Sequence, residues 1–387
     1  MKQFFNKCLP ILILVLIIQS CSNPKLSISI KNDLDFDRSE VMSISSIELK
    51  KIGIEDLNSV EVRDNTGMAV VTQITADSQL LFQAKVAGNS IANYTAGVRK
   101  GSEKPNSDIS TYSRIVPERL DDYAWENDKV AFRSYGPEGQ RQAEAKVSGA
   151  TMSSGIDCWL KRVDYPIINK WYKKAETGGS YHKDDGEGLD DYHVGSSRGC
   201  GGIGIFANET LYTSENFQKW NTIDEGPLQT NFTITYDPWE ANGLMIFEEK
   251  KISLDLGSNM MKVELTLKSS ENIDQATVGI AIHDSLAVSN TDKDSGWFNI
   301  WSPHADSKLG TALVLSPSDI AEFVDFRSSE TDKSHLFVHA NIKGGNLTYY
   351  AGFTWLKSGQ FSDQQDWENY LKRFAKSLDS PLSMTFN

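Results

Sequence analysis

The sequence predicts an all-β fold, an antiparallel β-sandwich of the jelly-roll type with a C-terminal helix and long loops that carry a site. Apolar and polar residues alternate with period two in many short segments. Turn signals rich in Gly, Asn and Asp separate these segments, as between the strands of a sandwich or barrel. No repeat with a period of about 20–50 residues occurs, which argues against a solenoid or a propeller.

Length and charge exclude some classes of protein. The chain has 387 residues, 39 Lys and Arg against 52 Asp and Glu, and a net charge of −13. Because binding to a nucleic-acid backbone requires a basic surface, no nucleic-acid partner is expected. The length allows roughly two to three domains.

The N-terminus has the pattern of a bacterial lipoprotein signal peptide over residues 1–20. Two lysines precede an apolar run over residues 9–18, which is too short for a membrane span. Residues 18–21 read Ile-Gln-Ser-Cys, a lipobox, so Cys21 is expected to be lipidated. The sequence thus predicts an outer-membrane lipoprotein, periplasmic or on the cell surface, that touches the membrane only through its lipid. An ordinary secretory peptide is the alternative.

The first part of the mature chain is predicted to form a small N-terminal β unit over residues 25–98. Residues 100–109 are polar with Gly and Pro and are typical of a linker. The strand candidates of the unit are residues 26–30, 59–63, 68–75 and 78–86.

The predicted main β-sandwich domain spans residues 110–387. Residues 110–210 are rich in Gly, aromatic and charged residues without clean periodicity, so they are expected to be loops that carry the site. Later strand candidates are residues 230–236, 243–254, 260–268, 276–283, 311–315, 335–340 and 347–355.

One helix is predicted near the C-terminus, over about residues 363–378. Residues 362–365 read Ser-Asp-Gln-Gln, a capping box, and Pro381 ends the helix. An apolar face at helical spacing is expected to pack on a sheet. It consists of Trp367, Tyr370, Leu371, Phe374 and Leu378.

The densest group of reactive side chains lies at residues 181–199. It holds two His, two Tyr, five carboxylates, a Lys and Arg198. His182, Tyr181 and Tyr192 are candidates for acid–base catalysis, because His and Tyr can exchange protons. His182 beside a carboxylate also allows a divalent metal, but the spacing matches no standard ligand motif, so no cofactor is assigned. The alternative is a solvated acidic loop.

Two further segments offer binding groups. Arg133 suits a carboxylate or sulfate through two parallel hydrogen bonds, and Tyr135 stands two residues away. Around Trp159 and Lys161, aromatic residues alternate with cations, which suits the stacking and charge pairing of an anionic sugar. His304 is a weaker candidate for binding. The alternative for each segment is a surface turn or core packing.

Other histidines and cysteines favour structural interpretations. His283, His335 and His339 lie in strand-like runs and are expected to be structural. Cys158 and Cys200 could pair in an oxidising compartment or be small buried hydrophobes. The glycine-rich residues 199–204 indicate close backbone packing or a cleft wall rather than a phosphate cradle.

Four stretches together resemble the DUF4861 family: residues 133–139, 181–195, 198–202 and 350–359. The resemblance covers essentially the whole mature chain. The family is common in polysaccharide-utilisation loci of marine Bacteroidetes, and it includes an oligosaccharide dehydratase of ulvan breakdown. The resemblance implies removal of water from the non-reducing-end uronic acid of a sulfated oligosaccharide, which leaves a 4,5-unsaturated sugar.

The chemistry of that elimination assigns expected roles. Taking the proton next to a carboxylate requires a cation to spread the developing charge, a base, and an acid for the departing hydroxyl. The expected roles are carboxylate neutralisation by Arg133 or Arg198, proton transfer by His182 with Tyr181 or Tyr192, a reserve role for Lys161, and substrate binding by Trp159, Tyr135 and His304.

Three alternatives stay open at this stage. A polysaccharide lyase would use nearly the same groups to expel a sugar and cleave the chain. A surface lipoprotein could bind glycans without catalysis. A mutarotase-like epimerase would share the sandwich and an acid–base pair. The uronate epimer, the sulfation pattern, any metal and the oligomeric state stay open.

Overall fold

The computed structural model describes residues 24–101 and 104–387. The predicted signal peptide and Cys21 lie outside these residues. Antiparallel sheets make up most of the described chain, so the predicted all-β sandwich class is confirmed. In this part of the chain, no helix combines the length and apolar character needed to cross a membrane.

The N-terminal segment forms two small sheets around a core of its own. In β1, alternation buries Leu26, Ile28 and Ile30 on one face. β2 and β7, which the sequence pattern did not reveal, pair with predicted neighbours. The elements are β1 (Lys25–Asn32), β2 (Arg38–Ser45), α1 (Ser46–Lys51), β3 (Val60–Arg63), β4 (Ala69–Val70), β5 (Thr72–Ile74), β6 (Gln79–Val86) and β7 (Ser90–Val98).

The segment expected to consist of loops contains a five-stranded sheet and two helices. Every residue of β9, β10 and β11 is buried, so no polar face marks these strands in the sequence. This double burial is why the pattern missed them. The elements are β8 (Tyr112–Val116), β9 (Asp122–Glu126), β10 (Ala131–Ser134), α2 (Pro137–Glu144), β11 (Asp157–Lys161), α3 (Ile168–Glu176) and β12 (Gly188–Leu189).

The rest of the chain builds two large sheets. One has the order β14-β13-β20-β25-β24, and the other runs β15-β16-β18-β19-β26-β23-β22-β21 with β17 on β18. The elements are β13 (Cys200–Ala207), β14 (Thr210–Tyr212), β15 (Phe217–Glu225), β16 (Gln229–Tyr236), β17 (Trp239–Ala241), β18 (Leu244–Asp255), β19 (Met260–Lys268), β20 (Gln275–Ala281), β21 (Val288–Asp292), β22 (Trp297–His304), β23 (Ser307–Leu315), β24 (Ile320–Phe326), β25 (His335–Asn341), β26 (Asn346–Trp355), α4 (Gln364–Asp379) and β27 (Ser383–Phe386).

One hydrophobic cluster joins the three larger sheets. Phe132 of β10 packs edge-on against Phe353 of β26, with ring centroids 5.2 Å apart. Gly201 in β13 has φ +92, and a Cβ there would lie 2.5 Å from that of Ala351, so the expected close backbone packing of this glycine-rich strand is confirmed. The last strand, β27, pairs with β1, so the chain returns to the N-terminal unit. The division of the chain near residue 98 stays a prediction.

The helix α4 lies across β22 and β23. Its buried face includes Trp367 and Leu371, and the indole Nε1 of Trp367 donates to Asn299 Oδ1 at 3.0 Å. Two details differ from the sequence prediction. The N-cap is Asp363 rather than Ser362, because Asp363 Oδ1 accepts from the Asp366 N–H at 2.9 Å. Leu378, predicted on the packed face, is exposed.

The cap assignment gives a first prediction. Asp363→Ala should lower the free energy of unfolding by about 1 kcal/mol, because it removes the acceptor for the first turn. Ser362→Ala is the matched control, since its hydroxyl makes only an exposed 3.3 Å contact to Asp366. Urea denaturation of both variants measures the difference. Equal losses would contradict this cap.

Candidate functional site

Most of the charged residues singled out from the sequence lie on one face of the β8–β12 sheet, which we call the charged face. It carries Arg133 with Asp122 and Asp157, and, farther along, Lys161 with Glu126. α3 and the loop before β12 cover this face with aromatic residues. The charged face is therefore an interior surface.

Arg133 is bound by carboxylates. Its Nε and Nη2 donate to Asp157 Oδ2 at 2.9 and 2.6 Å, and Nη2 donates to Asp190 Oδ2 at 3.0 Å. Asp122 Oδ2 lies 3.8 Å from Nε. Asp157 faces Arg133 directly in the β10–β11 register. This guanidinium is buried and already neutralised, so the geometry corrects its expected role as the partner of a substrate carboxylate.

Burial perturbs the acids of this group. Burial raises the pKa of Asp122 to about 6, against the opposing charge of Arg133. Burial, followed by repulsion from Asp190, raises the pKa of Asp157 to about 7. Three carboxylates around one cation cannot all ionise cheaply away from water. Asp122 and Asp157 therefore keep their protons to a higher pH in the folded protein than in an unfolded chain.

Trp159 is fully buried and packs between other aromatic rings. Its ring centroid lies 5.3 Å from both Trp171 and Tyr181, and 5.2 Å from the Arg133 guanidinium. A sugar ring cannot reach its face, so the expected stacking role is corrected to a packing role. Tyr181 is buried against Trp159, whereas Tyr135 is buried in the main hydrophobic cluster, so both pack in the interior.

Lys161 forms a fully buried ion pair. Its Nζ donates to Glu126 Oε2 at 2.9 Å and to the carbonyls of Asn127 and Tyr165. Glu126 also accepts the backbone N–H groups of Ile167 and Ile168 where α3 begins. The pair fastens α3 to the sheet, so the structure corrects the expected reserve catalytic role of Lys161.

Arg198 differs from Arg133 in its partners. Its Nη1 donates to Ser154 Oγ at 2.9 Å and to the Ile203 carbonyl at 3.2 Å. Among the residues that the structure describes, no carboxylate oxygen lies within 4 Å of the Arg198 guanidinium. Burial lowers the pKa of Arg198 to about 10, although the more distant Glu248 opposes this shift. Arg198 is a buried cation with neutral partners, and no substrate contact is available to it.

His182 is accessible. Its Nδ1 lies 2.7 Å from the Asp190 carbonyl, which can only accept, so Nδ1 carries the proton and Nε2 is free to accept. The side chain is 61% exposed. The ring rests on Tyr181 at 4.5 Å. His182 stays a candidate for proton transfer at the rim of the site.

A second set of reactive side chains meets at one end of the large sheets. We call it the histidine cluster, and it consists of His193, His283 and His304 around Tyr192. The centroid of the Tyr192 ring lies 5.2 Å from that of His283 and 6.2 Å from that of His304. His193 lies 5.9 Å from His283. His283 follows β20, His304 ends β22, and the other two belong to the loop after β12.

The pKa values of Tyr192 and His283 are shifted in opposite directions. Burial raises the pKa of Tyr192, and its buried hydroxyl has no hydrogen-bond partner in the described chain. Burial, with the charges of His193 and His304, lowers the pKa of His283 to about 4. Tyr192 is therefore protonated and His283 is neutral at pH 7.

His193 is held by a carboxylate from a distant loop. Its Nε2 lies 3.0 Å from Asp332 Oδ1, and Asp332 Oδ2 accepts the Ser196 N–H at 3.0 Å. Gly195 makes this approach possible, because a Cβ there would lie 2.0 Å from Asp332 Oδ2. On the other side, His304 Nε2 lies 3.7 Å from Asp191 Oδ2. Two carboxylates therefore flank the cluster.

Comparison with known proteins identifies the family. The model of the family described as "Domain of unknown function (DUF4861)" matches residues 30–384. An "Uncharacterized protein P7" of Formosa agariphila is 39% identical over 368 residues, which are 92% of each chain. The chain belongs to the DUF4861 family.

Solved structures with a similar fold are distant in sequence. A protein in the glycosyl hydrolase family 38 from Enterococcus faecalis aligns with a TM-score of 0.50 and 9% identity, covering 94% of this chain and 47% of its own. An alpha-mannosidase from Enterococcus faecalis V583 aligns with a TM-score of 0.49 and 10% identity, over 94% and 46%. The DUF4861 chain spans about half the length of these structures. The likeness concerns the fold alone.

The other histidines and cysteines that the structure of this DUF4861 protein describes are structural. His335 Nε2 accepts the Arg198 N–H at 3.0 Å, and His339 Nδ1 lies 2.8 Å from Thr277 Oγ1, so the prediction for these two is confirmed. Cys158 and Cys200 are free and buried. Among the residues described here, no three His, Cys, Asp or Glu side chains are arranged to hold a metal.

Sequence reasoning missed three members of the site. His283 was expected to be structural, His193 was given no role, and Asp332 was not noticed. In the loop after β12, Asp190 and Tyr192 are buried while Asp191 and His193 are exposed. The alternation of residues along this segment is the local pattern that could have indicated an exposed His193. Nothing local marked His283 or Asp332, because contacts across about 90–140 residues bring them in.

The pKa shift of Asp122 gives a second prediction. Because its folded pKa exceeds the unfolded value, its contribution to stability is complete below about pH 4 and is lost as pH rises through about 6. Asp122→Asn should therefore unfold less readily than wild type at pH 8, by up to about 3 kcal/mol, and by about half as much at pH 5. Urea titrations at both values measure this. The exposed Asp33→Asn is the control, and a variant weakened more at pH 8 would contradict the prediction.

The Lys161 pair gives a third prediction. Lys161→Ala should cost about 3–5 kcal/mol, because it leaves the Glu126 charge buried without a cation. The double variant Lys161→Met with Glu126→Gln should recover a large part of the loss. Lys170→Ala, which breaks an exposed pair with Glu187, should cost at most about 1 kcal/mol. If Lys161→Ala unfolds like wild type, the pair is not what holds α3.

Proposed function

We propose that the protein is a carbon–oxygen lyase that removes water from the non-reducing-end uronic acid of an acidic oligosaccharide. The observation that supports this most directly is the histidine cluster. It places Tyr192, a buried and protonated tyrosine whose hydroxyl has no partner in the described chain, beside the exposed and neutral imidazole of His283. Groups whose surroundings drive their pKa values apart are suited to act as acid and base.

In the proposed reaction, His283 is the base and Tyr192 is the acid. The neutral imidazole takes the proton from C5, the electron pair forms the C4–C5 double bond, and the C4–O4 bond breaks. The departing oxygen takes the Tyr192 proton and leaves as water. A proton returned from the imidazolium to the tyrosinate restores both groups, whose rings are 5.2 Å apart.

A positive charge close to the site would support the loss of that proton. The Arg198 backbone N–H donates to His335, and the Gly199 carbonyl accepts the Ala281 N–H at 2.8 Å, two residues before His283. Since its side chain binds only neutral oxygens, the Arg198 charge is not cancelled by an adjacent ion pair. In this proposal Arg198 acts through its electrostatic field, while His193, held by Asp332, contacts the substrate carboxylate.

A carbohydrate substrate is supported by two further findings. The sequence motifs of the site are those on which the family resemblance rests, and the chain belongs to that family. The fold is shared with a protein of glycosyl hydrolase family 38. An outer-membrane lipoprotein in polysaccharide breakdown, with a sulfated ulvan oligosaccharide as substrate, is the more specific form of the proposal.

Mass spectrometry of defined ulvan oligosaccharides tests the reaction. The mature protein is incubated with oligomers that carry a saturated uronate at the non-reducing end. We expect the loss of one water, about 18 mass units, from an intact chain, because elimination breaks only the C4–O4 bond. Shorter fragments would instead establish a lyase or hydrolase, and an unchanged mass would contradict the proposal.

Substitutions separate the two candidate bases and give the fourth prediction. Tyr192→Phe and His283→Ala should each lower kcat/KM by about 10²–10⁴-fold, because each removes a proton-transfer group. His182→Ala should retain most of the activity if His283 is the base. Tyr212→Phe, outside the cluster, is the matched control, and near-ultraviolet circular dichroism verifies folding.

The pH profile adds an independent readout. With the pKa of His283 at about 4, kcat/KM should fall on the acid side only below about pH 5. A fall centred near 6.5 would point to an imidazole with an ordinary pKa and would remove His283 from the role of base.

A further inference from the structure

A cavity of about 530 Å³ lies where the N-terminal unit meets the main sheet and α4. Its walls come from β2, from the turn between β18 and β19, and from α4. We call it the junction cleft. None of the charged-face or histidine-cluster residues lines it. It has no histidine among its lining residues, so it offers binding groups without the acid–base pair of the proposed active site.

One wall of the junction cleft is aromatic. Tyr350 of β26 and Phe374 of α4 pack edge to face, with ring centroids 5.1 Å apart. Both side chains are only half-buried. Tyr370 extends the wall at 6.0 Å from Phe374, and its hydroxyl accepts the Asn259 N–H. Aromatic rings that keep a face accessible are the usual platforms for a sugar ring.

Two cations flank the aromatic wall: Arg373 precedes Phe374 on α4, and Lys262 faces Tyr350 in the β19–β26 register. Arg373 is exposed, and its Cζ lies 5.5 Å from the ring of Phe36. In residues 24–101 and 104–387, no carboxylate lies within 4 Å of Arg373. Lys262 is close to Glu264 at 3.2 Å, an exposed contact of little strength. Arg373 and Lys262 can therefore bind an anionic ligand at a small cost in free energy, because neither has to break a strong ion pair.

The acids of the junction cleft are mostly engaged. Glu40 accepts from Arg38 Nε at 2.6 Å, and Asp37 accepts the Gly88 N–H at 3.0 Å. Asp255 accepts from the Gln229 amide at 2.7 Å, and burial, followed by repulsion from Glu40, raises its pKa. These contacts reduce the repulsion that the carboxyl groups of the junction cleft would otherwise exert on an anionic ligand.

We propose that the junction cleft is a second binding site for an acidic oligosaccharide, separate from the histidine cluster. One sugar ring lies against Tyr350 and Phe374, and its carboxylate or sulfate binds Arg373 and Lys262. The choice of an acidic sugar as ligand rests on the proposed function, whereas the site itself rests on this geometry. A second binding site would increase the affinity of the protein for long oligosaccharides without taking part in catalysis.

Calorimetric titration with an ulvan tetrasaccharide tests the site and gives the fifth prediction. It uses the Tyr192→Phe protein, so that no turnover occurs. Arg373→Ala and Tyr350→Ala added to this background should each weaken one binding event about tenfold or more, because they remove the cation and the platform. Exposed Arg141→Ala, which lies far from the cleft in α2, is the matched control. Neutral xylotetraose should not bind there.

Amide hydrogen exchange tests the same site and distinguishes a loss of binding from a loss of folding in the variant. The tetrasaccharide should slow amide exchange in the peptide that covers residues 370–378, and Arg373→Ala should abolish that protection. Unchanged binding and unchanged exchange in Arg373→Ala would overturn the second site, even if water loss is observed. Conversely, weakened binding in Arg373→Ala with no water loss from the wild-type protein would retain the site and overturn the dehydratase proposal.

Discussion

The ion cluster around Arg133 determines how the middle of this molecule is built. One guanidinium joins β9, β10, β11 and the loop after β12 through Asp122, Asp157 and Asp190. A buried cation must be paired, and a buried carboxylate must be paired or protonated, so these four groups fix one another in position. The loop that begins at Asp190 continues directly into Asp191, Tyr192 and His193. The interior ion cluster therefore sets where the histidine cluster stands.

The reactive side chains of the molecule fall into two groups that differ in their exposure to solvent. On the charged face, Arg133 and Lys161 are neutralised by carboxylates and covered by α3. In the histidine cluster, His193 and His283 are exposed, whereas Tyr192 is buried and its hydroxyl has no partner in the described chain. Catalysis needs groups that are available as well as perturbed. The charge-dense segments contain both the paired residues of the charged face and the loop of Tyr192 and His193, and the candidate site residues are those with few partners in the interior.

The histidine cluster also shows how an antiparallel sandwich assembles a site. Its members stand at or beyond the ends of strands, in the loop after β12, after β20, at the end of β22 and between β24 and β25. The sheets hold these ends side by side, and the close approach at Gly195 lets Asp332 reach His193. The junction cleft, by contrast, forms where the N-terminal unit and α4 meet the large sheet, which separates its binding groups from the acid–base groups.

The sequence by itself determined the all-β class, half of the strands of the large sheets, the C-terminal helix and the family. Each of these depends on a local pattern, such as the alternation in β19 or the spacing of Trp367 and Leu371. It did not reveal β9, β10 and β11, because strands buried on both faces lose their alternation. It located the loop of Tyr192, but it could not distinguish Arg133, which is buried and paired, from an available cation. Only the tertiary structure brought His283 and Asp332 to His193, because contacts across such separations leave no trace in local spacing.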